Sequence, residues 1–367
     1  MKNSFGNSLK ITIFGESHGK ALGAVIDGIA PGIEIDENYI AKKLTKRRPL
    51  GKISTARSEE DNFKILSGVY NGYTTGTPIG IIIENSVQKS SDYDKINGLA
   101  RPGHADYTAF CKYHGFEDRR GGGHQSARVT AAVVAAGAIV SKALEDKNIF
   151  IATHLKKCGG ISDRDFDYEN PFSDFKALAF EPFPVLDKNA GEDMKKAIMA
   201  AKEQNDSIGG IIETMVTGVP AGVGEPWFDS FESIISHILF SVPAVKGIEF
   251  GDGFSLCDKK GSEANDPYRI KDGKPHSPSH SNGGILGGIT DSNPIIFRCA
   301  VKPTPSIAKP QKTIDFIKNE NAEISVKGRH DPCVAHRAAA VADAVTALAV
   351  ADLCVSRFGT DWLSKTI

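Results

Sequence analysis

Alternating apolar and polar residues predict seven strands, and apolar residues at helical spacing predict five helices. The predicted strands cover residues 9–14, 23–27, 63–70, 79–84, 209–219, 283–289 and 294–301. The predicted helices cover residues 37–46, 128–146, 192–205, 229–240 and 331–357, with Asp36 as a cap for the first. Several strands follow one another without an intervening helix, which favours antiparallel pairing over a doubly wound parallel sheet.

Two of the predicted helices are apolar on nearly every side, at residues 130–144 and 338–355. The continuous apolar core of the first is only about ten residues, too short to span a bilayer. Asp343 and Asp352 interrupt the second. We therefore expect no membrane span but two helices buried between sheets, in an α+β fold.

No linker separates two halves of the chain, so residues 1–367 are predicted to form one domain. Residues 166–187 are rich in Asp, Phe and Pro and are predicted to be an irregular surface excursion.

The charge balance gives the chain no overall attraction for nucleic acid or an anionic membrane. Forty-four Lys and Arg oppose 45 Asp and Glu, for a formal net charge of −1. Six cysteines lack C-x-x-C spacing, which indicates reduced, mostly buried thiols in a cytosolic protein. Residues 1–4 lead directly into a strand with no signal-peptide hydrophobic region, so we expect a cytoplasmic protein.

The segment Gly15-Glu16-Ser17-His18-Gly19 matches G-x-S-x-G, the nucleophile elbow of α/β-hydrolases. Its context does not fit, because an elbow opens a helix whereas residues 20–28 are typical of a second strand. The hydrolase oxyanion hole also needs an earlier strand, for which there is no room. Ser17 is therefore not expected to be an acyl nucleophile.

His18 and His104 both lie on glycine-flanked loops, where an imidazole can give or take a proton near neutral pH. The alternative is a structural hydrogen bond for each. The loop Gly121-Gly122-Gly123, with Arg120 and Arg128 nearby, could bind an anion through backbone N–H groups, or could simply be a flexible turn.

The densest basic segment runs from residue 42 to residue 57. It is either the solvated end of a helix or a wall of an anion-binding pocket. It lacks interleaved aromatic residues, so nucleic-acid binding is not expected.

Four motifs in order resemble the chorismate synthase family, over residues 3 to about 352. They are residues 15–19, Arg101-Pro102-Gly103-His104-Ala105-Asp106-Tyr107, residues 120–128 and residues 328–333. The resemblance implies a β-α-β sandwich with buried helices between largely antiparallel sheets. It also implies a lyase that converts 5-enolpyruvylshikimate 3-phosphate to chorismate and phosphate by anti-1,4-elimination, the last step of the shikimate pathway. That reaction requires reduced FMN without net redox change.

The resemblance also implies roles for individual residues. His104 would protonate the reduced flavin, His18 would assist departure of the phosphate, and Asp331 would accept or steer a proton at the flavin. Ser17 and Ser126 would position these groups; helix capping is the structural alternative for Asp331. The implied flavin contacts are His124, Gln125, Ser126, Pro243, Ala244, Gly287, Lys302, Pro303, Thr304, Pro305, Ser306 and Arg329. The implied contacts to phosphates of the substrate or of NADP are Arg47, Arg48, Lys52 and Arg128.

The chain departs from the family pattern at several positions. His124 and Gln125 stand where the family most often has Arg-Ser, which puts the detail of FMN contact in doubt. His336 and Ala340 replace paired prolines after Cys333, a change expected to alter helix packing only. No G-x-G-x-x-G or Walker loop is present, so any NADP binding would be weak or unconventional.

The family resemblance leads us to expect a homotetramer, and an external flavin reductase because no reductase domain is visible. Two alternatives differ in class: a metal-dependent phosphate-ester hydrolase and a non-catalytic flavin-binding protein. The hydrolase would use His18, His104, Asp106, His330 and Asp331, but no H-x-H, H-x-x-E-H or H-E-x-x-H spacing supports a metal site.

Overall fold

In a computed structural model, two apolar helices lie between two antiparallel sheets. The structure describes residues 2–55, 60–86, 98–326 and 331–365; Arg329 and His330 lie outside these ranges. The strands are β1 Ser4–Phe5, β2 Lys10–Gly15, β3 Ala21–Asp27, β4 Phe63–Ile65, β5 Val69–Tyr70, β6 Tyr73–Thr74, β7 Ile79–Glu84, β8 Phe150–Cys158, β9 Ile161–Ser162, β10 Gly210–Thr217, β11 Val245–Phe250, β12 Arg269–Lys271, β13 Lys274–His276, β14 Ile285–Leu286, β15 Ile289–Thr290, β16 Ile295–Val301, β17 Gln311–Asp315 and β18 Glu320–Ile324. The α-helices are α1 Glu37–Lys46, α2 Asp106–Tyr113, α3 Thr130–Glu145, α4 Phe172–Leu178, α5 Lys188–Glu203, α6 Phe231–Leu239, α7 Gly261–Ala264 and α8 Ala335–Phe358. Short 3₁₀ turns occupy Gly51–Ile53, Arg120–Gln125, Ala127–Val129, Gly253–Asp258 and Thr360–Leu363.

The two larger sheets have the strand orders β1-β2-β3-β7-β4 and β11-β16-β10-β8-β9, and their neighbouring strands pair antiparallel. Helix α3 packs on β3 and β7 of the first sheet, helix α8 packs on β8 and β10 of the second, and the two helices pack on each other. A Cβ added at Gly137 would lie 2.6 Å from the Cβ of Ala344, so a glycine allows this close helix contact. The predicted α+β sandwich is confirmed.

Helix α8 is buried along nearly its whole length, and its two acidic residues have internal partners. Asp343 accepts a hydrogen bond from Lys46 Nζ at 2.9 Å. Asp352 accepts from the backbone N–H groups of residues 7–9 at 2.7–3.1 Å, and thus holds the turn before β2. The helical stretches 127–145 and 335–358 are long and apolar enough to cross a membrane, but 78% and 100% of their apolar windows are buried inside the protein.

Several predicted elements match the structure closely. Helix α1 has the predicted bounds, and Asp36 caps it by accepting from Tyr39 N at 2.9 Å. Strand β7 also has its predicted bounds. The strand predicted at residues 63–70 is instead two strands, β4 and β5, and residues 283–289 belong to the small hairpin β14–β15.

The prediction of an irregular surface excursion at residues 166–187 is wrong. This segment contains helix α4, and its buried side chains include Phe166, Phe175, Leu178 and Phe183. Three of them pack with residues of β8, β10 and β16 in a second apolar cluster, separate from the main core. The Asp and Pro content indicated exposure, but the apolar residues between them form a cover for the second sheet.

A row of alternating charges crosses the second sheet, because paired positions on neighbouring strands share one face. Glu213 pairs with Arg298 on one side and with His154 on the other. The buried His154 donates from Nδ1 to Asp163 at 2.7 Å and from Nε2 to Glu213 at 3.1 Å. Burial alone would lower the pKa of His154, but the two carboxylates outweigh it and raise the pKa. Both ring nitrogens donate to carboxylates, so His154 is an imidazolium in the folded protein.

We expect this imidazolium to make the protein less stable in base. The folded pKa of His154 is raised, so its contribution is complete below the unfolded value of about 6.5 and is lost as pH rises through the folded value. Urea unfolding of the wild type and of His154→Gln should therefore give a free-energy difference that shrinks from pH 6 towards pH 9. A difference independent of pH would contradict the charged state of His154.

Candidate active site

His18 lies in the loop between β2 and β3 and is 4% exposed. Its Nδ1 is 3.1 Å from Ser17 Oγ, and the same hydroxyl donates to the carbonyl of Arg120 at 3.1 Å. Because the hydroxyl proton goes to the carbonyl, the Ser17 oxygen accepts from His18. This contact places the proton of a neutral His18 on Nδ1 and makes Nε2 its basic nitrogen. Ser17 therefore orients His18.

The glycine loop contacts both loop histidines. A Cβ added at Gly121, where φ is +63°, would lie 2.2 Å from Cε1 of His18. A Cβ at Gly122 would lie 3.4 Å from Cε1 and Nε2 of His104. One stretch of backbone thus separates the two imidazoles, and the first glycine is required for its approach to His18. The triple glycine is an ordered spacer between the histidines.

His104 is held by an ion pair that precedes α2. Its Nδ1 is 2.8 Å from Asp106 Oδ1, and Arg101 binds both oxygens of the same carboxylate at 2.7 and 2.8 Å. Burial would raise the pKa of Asp106, but hydrogen bonds from Arg101 and His104 hold it well below its usual range. Arg101 Nη2 also lies 3.1 Å from His104 Nδ1, so Arg101 and Asp106 together hold this side of the imidazole, and Nε2 lies on the side of Gly122.

The segment Lys302–Ser306 lies against this histidine loop. Lys302 Nζ donates to the carbonyl of Gly103, and Arg101 Nη1 donates to Ser306 Oγ at 3.4 Å. Backbone atoms anchor the segment elsewhere, through Lys302 N to Ala244 O at 2.9 Å and Ser207 Oγ to Thr304 O at 2.7 Å. Residues about 200 positions apart in the chain are thereby brought to one place.

A cavity of about 630 Å³ lies beside the glycine loop, between the edges of the two sheets. Six of the residues that the resemblance implies as flavin contacts line it: His124, Gln125, Ser126, Pro243, Ala244 and Lys302. Val133 of α3 and Val341 and Val345 of α8 supply apolar wall. His124 donates from Nδ1 to the carbonyl of Gly15 at 2.7 Å. The size and the mainly apolar lining with a few polar groups are typical of a small-molecule site.

Two of the predicted phosphate-binding cations are buried around one carboxylate. Arg47 donates to Asp61 Oδ2 at 2.5 Å, and Arg128 donates to Asp61 Oδ1. Burial lowers the pKa of Arg47 to about 10, against the charge of Asp61, so the guanidinium stays protonated at neutral pH. One carboxylate faces two guanidinium groups, so the cluster keeps a net positive charge.

Asn85 connects this cluster to the loop that carries His18. Its Oδ1 accepts from Arg128 Nε at 3.0 Å. Its Nδ2 donates to the carbonyls of Glu16 at 3.0 Å and Gly19 at 2.9 Å. The positive cluster is therefore attached to both ends of the His18 turn.

Asp331 does not cap the following helix, so the alternative role of helix cap is wrong for this residue. Helix α8 begins at Ala335, with Val334 in the capping position. Asp331 instead accepts from Thr55 N at 2.7 Å and pairs with Arg337, whose Nε donates to the carbonyl of Arg47 at 2.7 Å. Asp331 is thus linked to the positive cluster.

The structure also describes three other predicted site residues, Arg48, Lys52 and Gly287. Arg48 donates to the carbonyl of Glu60, and the exposed Lys52 accepts from Lys202 Nζ through its own carbonyl at 2.6 Å. Gly287 is in the exposed turn of the β14–β15 hairpin and does not line the cavity. Arg329 lies outside the described residues.

Four polar residues that support the site were not predicted for a lyase site, although Asp106 was named for the alternative hydrolase. Arg101 and Asp106 belong to the His104 motif. They stand three residues before and two residues after His104, and both contact its imidazole. Asp61 and Asn85 gave no signal, because each stands among other polar residues and nothing in the local sequence distinguishes it. In the described ranges, no group of three or more His, Cys, Asp and Glu side chains could hold a metal ion.

The chain is similar to known proteins over nearly its whole length. Residues 9–355 match the family model for chorismate synthase. A chorismate synthase of Pyrococcus abyssi is 45% identical over 347 residues, which cover 95% of this chain and 96% of the relative. A chorismate synthase of Archaeoglobus fulgidus is 44% identical over 350 residues, with 95% and 96% covered. A solved structure described as a crystal structure of chorismate synthase superposes with a TM-score of 0.75 at 27% sequence identity, covering 97% of this chain and 94% of that chain.

The fold and these relatives define an enzyme of the carbon–oxygen lyase class. The chain belongs to the chorismate synthase family, whose activity is part of the shikimate pathway.

Proposed function

We propose that this chain converts 5-enolpyruvylshikimate 3-phosphate to chorismate and phosphate by anti-1,4-elimination, with reduced FMN as a cofactor that is not consumed. The observation that supports this most is the pair of loop histidines on either side of Gly121 and Gly122, followed in the chain by residues 124–126, which line a cavity of about 630 Å³. Two proton-handling groups separated by a fixed spacer suit an elimination in which one group leaves and one proton is removed.

The residues of the cavity fit a flavin. Valines of α3 and α8 offer an apolar wall for a flat ring, and Lys302 and Lys246 supply positive charge for an anionic group. His124, Gln125 and Ser126 contribute polar edges. When bound, reduced FMN supplies an electron-rich ring that can assist cleavage of the carbon–oxygen bond. In this proposal Pro243, Ala244 and the Lys302–Ser306 segment shape the flavin site.

The two histidines handle protons at Nε2. Asp106 and Arg101 hold His104 at Nδ1, and in this proposal its Nε2 delivers a proton towards the cofactor. Ser17 accepts from Nδ1 of His18, so its Nε2 can assist departure of the phosphate. Arg47 and Arg128 provide positive potential near the His18 turn, an electrostatic contribution to the leaving phosphate.

We further propose a cytoplasmic homotetramer that receives its reduced flavin from an external reductase. The absence of a dinucleotide-binding glycine motif in the sequence supports an external source over direct reduction by NADPH. In this tetramer the exposed Gly287 and Lys52 act through contacts with a neighbouring copy.

Phosphate release under anaerobic conditions tests the proposal. Purified protein should release phosphate from the substrate with reduced FMN and not with oxidised FMN, and one reduced flavin should serve many turnovers. Stoichiometric consumption of reduced FMN would indicate an oxidoreductase. Release that needs a metal ion but no flavin would indicate the hydrolase.

A separate prediction concerns His124, which replaces the family arginine. If it contacts the FMN phosphate as a cation, flavin affinity should weaken as pH rises, because only the protonated imidazole attracts the phosphate. His124→Arg should flatten this dependence, and His124→Ala should weaken binding without changing turnover at saturating flavin. Fluorescence titration with FMN at several pH values measures the flavin affinity of both variants. Unchanged affinity in both variants would mean that other groups hold the phosphate.

A further inference from the structure

Two buried thiols face each other where the second sheet meets the segment before α8. Cys158 is the last residue of β8, and Cys333 follows Asp331 and Pro332. Their sulfurs are 3.7 Å apart, a hydrogen-bond distance for two thiols and not a covalent bond. Both residues are almost fully buried and both are free cysteines. No other pair of sulfurs in the described chain makes such a contact.

The surroundings make these two thiols unequal. The hydrogen bond from Cys158 lowers the pKa of Cys333; burial opposes this shift, and His336 adds to it. The same contact raises the pKa of Cys158. His336 Nε2 is 3.2 Å from Ser54 Oγ, which leaves Nδ1 available to the thiol one helical turn earlier. Cys333 is therefore the sulfur that loses its proton first, and the thiolate is the nucleophile in thiol oxidation.

We propose that Cys158 and Cys333 are an oxidation site that forms an intramolecular disulfide with a small peroxide as oxidant. The Cys333 thiolate attacks one oxygen of hydrogen peroxide; the O–O bond breaks, the other oxygen leaves as water after taking a proton, and Cys333 becomes a sulfenic acid. Cys158 then attacks that sulfur, its proton goes to the departing hydroxyl, and a second water leaves as the S–S bond forms. Two thiols are oxidised by two electrons, and one peroxide is reduced to two waters.

The geometry limits the movement that the reaction needs. A disulfide has sulfurs about 2.0 Å apart, so these two must approach by about 1.7 Å. Cys158 is fixed in the sheet by its pairing with Gly210 and Ile161. Cys333 lies outside the sheet, and the residues before it are held by Ile208 N to Pro332 O at 2.8 Å and by the contacts of Asp331 with Thr55 and Arg337. In this proposal Cys333, which has no strand partner, is the residue that moves towards Cys158.

Burial slows the oxidation of these thiols but does not change which cysteine Cys333 pairs with. A buried thiol meets an oxidant only after local opening, so this site should react more slowly than the exposed Cys111 and Cys257. The exposed thiols end as oxo-acids or adducts unless they meet a partner. A sulfenic acid at Cys333 has its partner thiol already in contact, so the disulfide is its expected end product.

Peptide mass mapping of the full-length protein tests the proposal. After treatment with hydrogen peroxide, the protein is denatured with a thiol-blocking reagent and digested without reductant. We expect a peptide pair linked through Cys158 and Cys333, lower by two hydrogen masses than the sum of its parts and lost on treatment with dithiothreitol. This covalent readout does not depend on the proposed lyase activity.

Serine variants distinguish a disulfide between Cys158 and Cys333 from unspecific oxidation of other cysteines. Cys158→Ser and Cys333→Ser should each abolish the linked peptide, whereas Cys299→Ser, a buried thiol elsewhere in the second sheet, should leave it intact. If a serine variant does not fold, the wild-type map still decides. Oxidation of Cys111 and Cys257 with both Cys158 and Cys333 recovered as blocked thiols would overturn the proposal.

Discussion

Replacing His104 or His18 with alanine should lower turnover by roughly 10²–10⁴, the usual span for a general acid–base group. The proposed reason is that each imidazole is held in place at Nδ1, by Ser17 for His18 and by the Arg101–Asp106 ion pair for His104. Both variants should still fold, because each histidine lies on a loop outside the two apolar clusters. Anaerobic phosphate release with excess reduced FMN measures turnover, and circular dichroism checks the fold.

His114→Asn is the matched control. His114 is exposed and ends α2, the helix that follows His104. Its φ of 56° is a left-handed conformation that asparagine tolerates. Turnover of this variant should match that of the wild type. Near-normal turnover in either active-site variant would leave that histidine with a structural hydrogen bond only.

The fold was largely predictable, because the local pattern of apolar and polar residues predicts its main elements. The cap at Asp36 and the periodicity after it determine α1, and a continuous apolar composition predicted that α3 and α8 are buried. Strands β8 and β11 were missed. In β8 buried residues alternate poorly with polar ones, since polar side chains such as His154 are themselves buried.

The candidate site was predictable only where residues stand close together in sequence. The two histidines and the glycine loop belong to short motifs, but their mutual contact depends on how β2, α2 and α3 pack. Asp61 meets Arg128 across 67 positions, and Asn85 meets it across 43. Such contacts follow from strand pairing and helix packing, which no local spacing records. Arg47 and Arg128 were predicted as phosphate ligands, but the carboxylate between them was not.

Asp61→Asn should destabilise the protein by about 3–5 kcal/mol, the range for removing one partner of a buried ion pair. Asp61 is the shared partner of Arg47 and Arg128, and the variant leaves two buried guanidinium groups facing each other. Asparagine keeps the side-chain volume and tolerates the φ of 55° at this position. Urea unfolding at pH 7 measures the loss. Glu84→Gln is the control, because its pair with Lys64 is two-thirds exposed on both sides and should matter little.

The difference in unfolding free energy between the wild type and Asp61→Asn should also depend on pH. Burial would raise the pKa of Asp61, but Arg47 and Arg128 outweigh it and lower the pKa. The contribution of the carboxylate is therefore complete above the unfolded value of about 3.9 and is lost as pH falls through the lower folded value. Unfolding free energies of wild type and Asp61→Asn should converge in strong acid and stay apart from pH 5 upwards. A gap that persists unchanged in acid would mean that the side-chain amide disturbs packing, and that the charge of Asp61 is not what holds the two arginines.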